Sequence, residues 1–462
     1  MKLDLFILVL SLILCIFFFY RKKSIFFLSI IFSGIERIFV PIGFSLSPVV
    51  LTAISSAESL VVSCVSNKTD WSKYIKQFIQ NSRSFIFLTL TLFFPAFISG
   101  VFSFERGLSI KSSLFIFLYV IFIFANLLSL KKYRNIDTIF KLLIFSTSIY
   151  SIYGIIQYIR YRIGLYPDVY IVKVLNKGLS PLSFVTSGTK TSLRPNSLFS
   201  DVNTFAGYLA LFIPIEIYYI YSSIKKTKEN FNEKADYIRK NVIYLIFFSI
   251  LVLINFISLI LTESKSIIGA ILFGVIWICI FYIIKFPGNI KKFLQIIGIM
   301  IIAIAIIIFA FRKDEMKLYK KDVLNTFSYH AHAMFIEVSY LSFSTHAITG
   351  TGIGTFYDYY NSLVKSGEVK NYGQADYPPL EARILAEEGL IGFAGFILFI
   401  SFLYYKIIKI GDNFLSLFTG LGLSFLLGMN LFHAYFFLFF SSVYISLILY
   451  FLSINTNQKG VK

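Results

Sequence analysis

The chain has 462 residues and a formal net charge of +19; 57% of it is apolar and 15% charged, where a soluble domain carries about 25% charge. That balance excludes a soluble globular enzyme. The basic residues sit in short clusters between apolar runs, where membrane topology and anionic lipid account for them, so no nucleic acid is expected as a partner. Cys15, Cys64 and Cys279 each fall in an apolar run, an odd set that argues against a disulfide framework or a zinc site.

Apolar runs of about 17–25 residues recur along the chain, each long enough to cross a hydrocarbon core as a helix. They are predicted at 3–20, 24–40, 46–66, 84–103, 112–130, 139–160, 198–221, 242–262, 267–285, 293–311, 389–406, 412–431 and 435–454. Glu36 and Arg37 interrupt the second run, so the count is 12 or 13. Leu5–Tyr20 lacks a strongly basic leader and a small-residue cleavage site and is expected to be retained. The fold class is all-α: a polytopic integral membrane protein forming a single membrane domain over 1–462, with no internal repeat.

Arg21–Lys23, Lys68–Arg83, Lys131–Arg134, Lys225–Lys240, Lys285–Lys292 and Lys406/Lys409 fall on one side of this map, which the positive-inside rule makes cytoplasmic. Arg160–Ser197, the Thr262–Ser266 turn and a long extracytoplasmic loop, 312–388, then face outward and are expected to meet. Pro378-Pro379 predicts a helix beginning near Pro379. Gly389, Gly392 and Gly395 predict a small-residue face for close packing.

Four polar constellations stand on that outer side. Arg194 precedes a run containing Asn196, Asp201 and Asn203 at the mouth of an apolar helix. A guanidinium fork fits phosphate oxygens; the alternative is an interfacial arginine reaching lipid headgroups, with Asn203 bonding between helices. Thr262–Ser266 carries Lys265, a second cation or an ordinary loop lysine. Gly350-Thr351-Gly352-Ile353-Gly354 lacks the strand–helix context of a nucleotide site and reads as a tight turn or close backbone approach. His332 and His346 read as interfacial polar residues, without partners at metal-ligand spacing. In Asp376–Gly389, Arg383 and Glu387 stand four apart and can pair on a helix, and Glu381 and Glu388 share a face. A carboxylate here is either a general base or part of a solvated interfacial helix. Inside the spans, Glu36/Arg37 and His433 are the ionisable residues read as interior.

In order, these motifs resemble the O-antigen ligase and polymerase family of bacterial membrane glycosyltransferases. The match covers about residues 190–395: Arg194 through Asn203, then Thr262-Glu263-Ser264-Lys265, then His332 eighteen residues ahead of Gly350, then Pro378 through Gly392. Lys265 and His332 stand in slots where arginine is usual, and Pro378 replaces the histidine that ligases are thought to use in catalysis. The resemblance implies a GT-C-like fold in the bacterial cytoplasmic (inner) membrane with an outward-facing active site. It also implies a metal-independent, inverting transfer without a cofactor. Glycan would move from undecaprenyl diphosphate to a hydroxyl of an acceptor glycan or lipid A core, among membrane lipids. Arg194, His332 and Glu381 would be catalytic, with Asp376 a further candidate base; Asn203, Lys265, Arg383 and Glu387 would bind substrate. The rival from another class is a secondary transporter or flippase.

Overall fold

Backbone amides in lipid find no water, so apolar runs of spanning length satisfy them within their own helix. The computed structural model describes residues 40–41, 45–46, 83–130, 135–165, 183–187, 190–199, 201–229, 235–264, 266–287, 327–370, 378–430 and 439–459. The predicted runs 3–20, 24–40, 46–66 and 293–311 lie outside them, except that Val40 and Leu46 pair in a short antiparallel ladder.

The described residues form α1 (Arg83–Phe102), α2 (Arg106–Leu130), α3 (Ile136–Arg162), α4 (Val202–Glu229), α5 (Ala235–Leu261) and α6 (Ile267–Lys285). They continue with α7 (Phe327–Thr345), α8 (Phe356–Ser366), α9 (Leu380–Ile408), α10 (Asn413–Asn430) and α11 (Phe439–Lys459). Among them, eight helices are long and apolar enough to cross a membrane. The chain is a polytopic helical membrane protein. The segment read as one loop, 312–388, holds helices α7 and α8 and the first turns of α9.

α4 is central: 83% of its membrane window is buried, against 17% for Asn241–Leu261 of α5. α5 shows how a lipid-facing helix is patterned. Leu253, Phe256 and Ile260 point outward while Asn255, Ser258 and Thr262 point into the bundle. Polar groups are turned inward because lipid offers them no partner.

Glycines permit a close approach between α6 and α10. A Cβ on Gly428 would stand 2.1 Å from the Gly269 carbonyl, and one on Gly420 2.0 Å from the Trp277 ring. Trp277 is itself fixed, donating to the Leu417 carbonyl at 3.0 Å and stacking on Tyr404. Gly420→Ala should therefore cost about 1–3 kcal/mol. We expect a lower melting temperature in detergent; unchanged melting would mean Trp277 swings aside.

These contacts also set direction. The start of α10 packs beside the later turns of α6, and Asp412, just before α10, accepts from Tyr218 of α4. The C-termini of α4, α6 and α9, with Lys225, Lys226, Lys285, Lys406 and Lys409, therefore gather at one end of the bundle. The N-termini of α4, α6 and α9 gather at the opposite end.

Candidate functional site

That opposite end is built by two polar assemblies. In the first, a hairpin pairs Ser183–Ser187 with Lys190–Arg194, antiparallel, and ends with Arg194 opposite Ser183. The following turn is tied down by Gln157 of α3, which accepts from the Ser197 amide at 2.9 Å and donates to its carbonyl at 3.0 Å. Ser197 also donates from Oγ to the Tyr150 carbonyl, and its φ of 54° is unusual for a residue with a side chain. Asp201 Oδ2 accepts from the Thr204 amide at 2.9 Å, capping the first turn of α4.

So anchored, Arg194 donates from Nε to the Thr262 carbonyl at 2.8 Å and from Nη2 to Asn203 Oδ1 at 3.1 Å. Asn203 Oδ1 also accepts from Ser264 Oγ at 2.8 Å, and Ser264 and Ser266 share a hydroxyl–hydroxyl bond at 2.7 Å. In the turn that follows α5, Glu263 adopts a φ of 46°. Thus the first two constellations meet. The carbonyl and the amide oxygen both orient the guanidinium. Lys265 lies outside the described residues.

The second assembly joins the α7–α8 cap to α9. Proline explains where α9 begins, with Pro379 as its cap and Leu380 its first residue. Gly389 (φ 63°, ψ −157°) then interrupts the helix. The carbonyls of Ala386 and Glu387 freed by this break accept from the amides of Thr351 and Gly352 at 2.9 and 2.8 Å. The amides of Leu390 and Ile391 donate back to Ala347 and Ile348 at 2.9 and 3.2 Å. Ser99 and Ser342 hydroxyls add further bonds to the Glu387 and Ala386 carbonyls, and Ser103 of the α1–α2 turn donates to the Thr351 carbonyl. The glycine run is therefore a close backbone approach, as its spacing predicts. The amides of Gly350, Thr351 and Gly352 are spent on the protein's own carbonyls.

Arg383 and Glu387 do pair, Nε to Oε2 at 3.1 Å, and Glu387 Oε1 accepts the Phe356 amide at the start of α8 at 3.2 Å. Glu387 thereby links α9 to the positive end of the α8 dipole. Glu381 has a buried oxygen, Oε2, with no hydrogen-bond partner. Gly395 packs against the Thr91 carbonyl and Gly389 against the Ile348 carbonyl, and Gly389 in addition takes a positive φ. His332 lies on α7, its side chain outside the described residues, as is Asp376. His346 shares a 2.8 Å contact with Thr345 Oγ1. Among the described residues no three His, Cys, Asp or Glu gather as metal ligands.

One carboxylate escaped the sequence reading, which placed interior charge at Glu36/Arg37 and His433. Glu216 lies within α4, 1% exposed, bonded by Thr147 of α3 and Asn255 of α5. Its signal was present: an acid in an apolar run, two residues beyond Pro214. Glu36, Arg37 and His433 lie outside the described residues. No family model, curated protein or solved structure matches the chain.

Proposed function

We propose that this protein is a membrane glycosyltransferase of the O-antigen ligase or polymerase type, moving glycan from undecaprenyl diphosphate to an acceptor hydroxyl. The observation that carries the reading is the joining of Arg194, Asn203 and the Thr262–Ser264 turn, distant in sequence, at the end of the bundle that also bears the α7–α8 cap. The Lys-rich opposite end supports a cytoplasmic assignment there, and an outward site in a bacterial inner membrane.

In this mechanism the acceptor oxygen attacks the anomeric carbon from the face opposite the diphosphate. The new C–O bond forms as the anomeric C–O bond to phosphate breaks, and the configuration inverts. Undecaprenyl diphosphate leaves with the electron pair. Arg194 opposes that developing charge, with Lys265 and Arg383 as weaker cations. Glu381, whose Oε2 has no partner, or His332 takes the hydroxyl proton. Asn203 holds Arg194 in register, and Glu387 orients Arg383.

The test is a gene deletion read on gels of surface glycan. A polymerase deletion leaves single repeats attached; a ligase deletion leaves bare core and accumulated lipid-linked polymer. Unaltered glycan excludes both. Activity in membranes should persist in EDTA, and loss with rescue by a divalent cation would contradict the cation-only mechanism. A proton-coupled transporter or flippase is the second reading, favoured by the buried Glu216. Lipid-linked glycan trapped on the cytoplasmic face of the deletion strain would select it.

A further inference from the structure

We propose that Glu216, held by Thr147 and Asn255 inside the bundle, is an exchangeable proton-binding site reached from the capped end along a polar seam between α3 and α5. It stands apart from the transfer chemistry and does not depend on it.

Glu216 has no ion-pair partner among the described residues, and Thr147 and Asn255 are the side chains that bond it. All three are at most 1% exposed. An unpaired charge in that setting is costly, which favours the form carrying the proton. The hydrogen-bond inventory fits both forms. Asn255 Nδ2 donates to Glu216 Oε2 at 2.9 Å and to Thr147 Oγ1 at 2.8 Å, using both its hydrogens. With the acid protonated, its O–H donates to Thr147 Oγ1, and Thr147 donates to the Ile144 carbonyl at 2.9 Å. When the proton leaves, the Thr147 hydrogen turns from that carbonyl to the carboxylate. One hydroxyl rotation separates two satisfied states.

The seam supplies the route. Thr147 and Ser151 lie one turn apart on α3; Asn255 and Ser258 on α5 and Thr262 just past its end follow at helical spacing, and all five are 0% exposed. Ser258 Oγ reaches the Ser151 carbonyl at 3.4 Å, and the Thr262 carbonyl receives Arg194. Asn255 Oδ1, on the side chain that bonds the carboxylate, and Ser146 Oγ and Ser151 Oγ on α3 are buried without hydrogen-bond partners, polar positions that suit a proton-carrying water. Besides Glu216, the ionisable side chains buried on α3, α4 and α5 among the described residues are tyrosines: Tyr150 of α3, and Tyr208, Tyr218 and Tyr219 of α4. Lys141 of α3 is paired with Asp137, and Asp412 with Tyr218, toward the Lys-rich end.

The test uses the full-length protein in lipid nanodiscs with dicyclohexylcarbodiimide, which reacts with protonated carboxyls in apolar surroundings. The reagent's nitrogen takes the carboxyl proton, the carboxylate oxygen adds to its central carbon, and the adduct rearranges to a stable N-acylurea. Mass spectrometry should find Glu216 labelled at mildly acidic pH, with labelling falling as pH is raised, and no label at this position in Glu216→Gln. Ser258→Val should slow the deuterium shift of the carboxylic C=O infrared band that Glu216→Gln removes. No label on Glu216 while other carboxyls react, or label indifferent to pH, overturns the site; exchange in Ser258→Val as fast as in the parent overturns the seam. The wild-type label is itself the readout, so a variant that fails to fold does not spoil the test.

Discussion

Arg194→Ala is expected to lower glycan transfer by about 10²–10³-fold while leaving the protein in the membrane at its normal level. The size follows from position. Arg194 is the strand-end residue whose two donors are locked on Thr262 and Asn203, so its charge is presented without reorganising during reaction. Arg194→Lys keeps the charge and loses the planar fork, and a single ammonium lacks the fixed geometry that spans both acceptors. It should recover part of the activity, well short of the parent. Asn203→Ala removes an orienting contact and leaves the charge, so its loss should be smaller than that of Arg194→Ala. Each variant is complemented into a deletion strain, and ladder length is compared with membrane abundance and melting temperature. Full ladders from Arg194→Ala would remove this residue from the mechanism. A loss matched by a fall in protein level would make it a fold residue.

The eight described spanning helices were legible because lipid enforces a simple code: an apolar run of sufficient length and polar groups turned inward. The Arg194–Thr262 junction was also legible, since both segments fall on one side of the topology map, although the bond itself depends on a carbonyl that residue type does not reveal. Helix α8 was harder to find. Phe356, Tyr360 and Leu363 are its buried residues, at helical spacing, but they sit in a short polar stretch that reads as loop. Gly389 was read with Gly392 and Gly395 as one packing face because the three share a spacing. Backbone angle separates it from the others, and sequence carries no mark of that. Glu216 was passed over because its span reads as hydrocarbon on average, and an average hides a single acid whose partners lie on two other helices.

Gly350→Ala should be the most destabilising single-methyl change in the cap, and two other glycines show why. Gly367 ends α8 at φ 81° with nothing within 4 Å of a new Cβ, so Gly367→Ala meets the left-handed backbone penalty alone, about 1–2 kcal/mol. Gly107 sits in α2 with open space and no positive φ, so Gly107→Ala should be neutral or stabilising by up to about 1 kcal/mol. Gly350 combines both difficulties: φ is 67°, and a Cβ would lie 2.3 Å from the Glu387 carbonyl carbon and 2.5 Å from the Glu388 amide. Those are backbone atoms held by the Thr351, Gly352 and Ser99 bonds, and they have no rotamer to change. Relief requires the loop to lift from α9, which leaves the Ala386 and Glu387 carbonyls short of donors at about 1–3 kcal/mol each. The expected result is a graded series in detergent melting: Gly107→Ala at or above the parent, Gly367→Ala slightly below, and Gly350→Ala far below or unfolded. Protease cutting within 347–355 should rise in Gly350→Ala if the cap detaches while the bundle survives. Equal melting of Gly350→Ala and Gly367→Ala would mean that docking onto the broken helix contributes little, and that the cap is held by its packing alone.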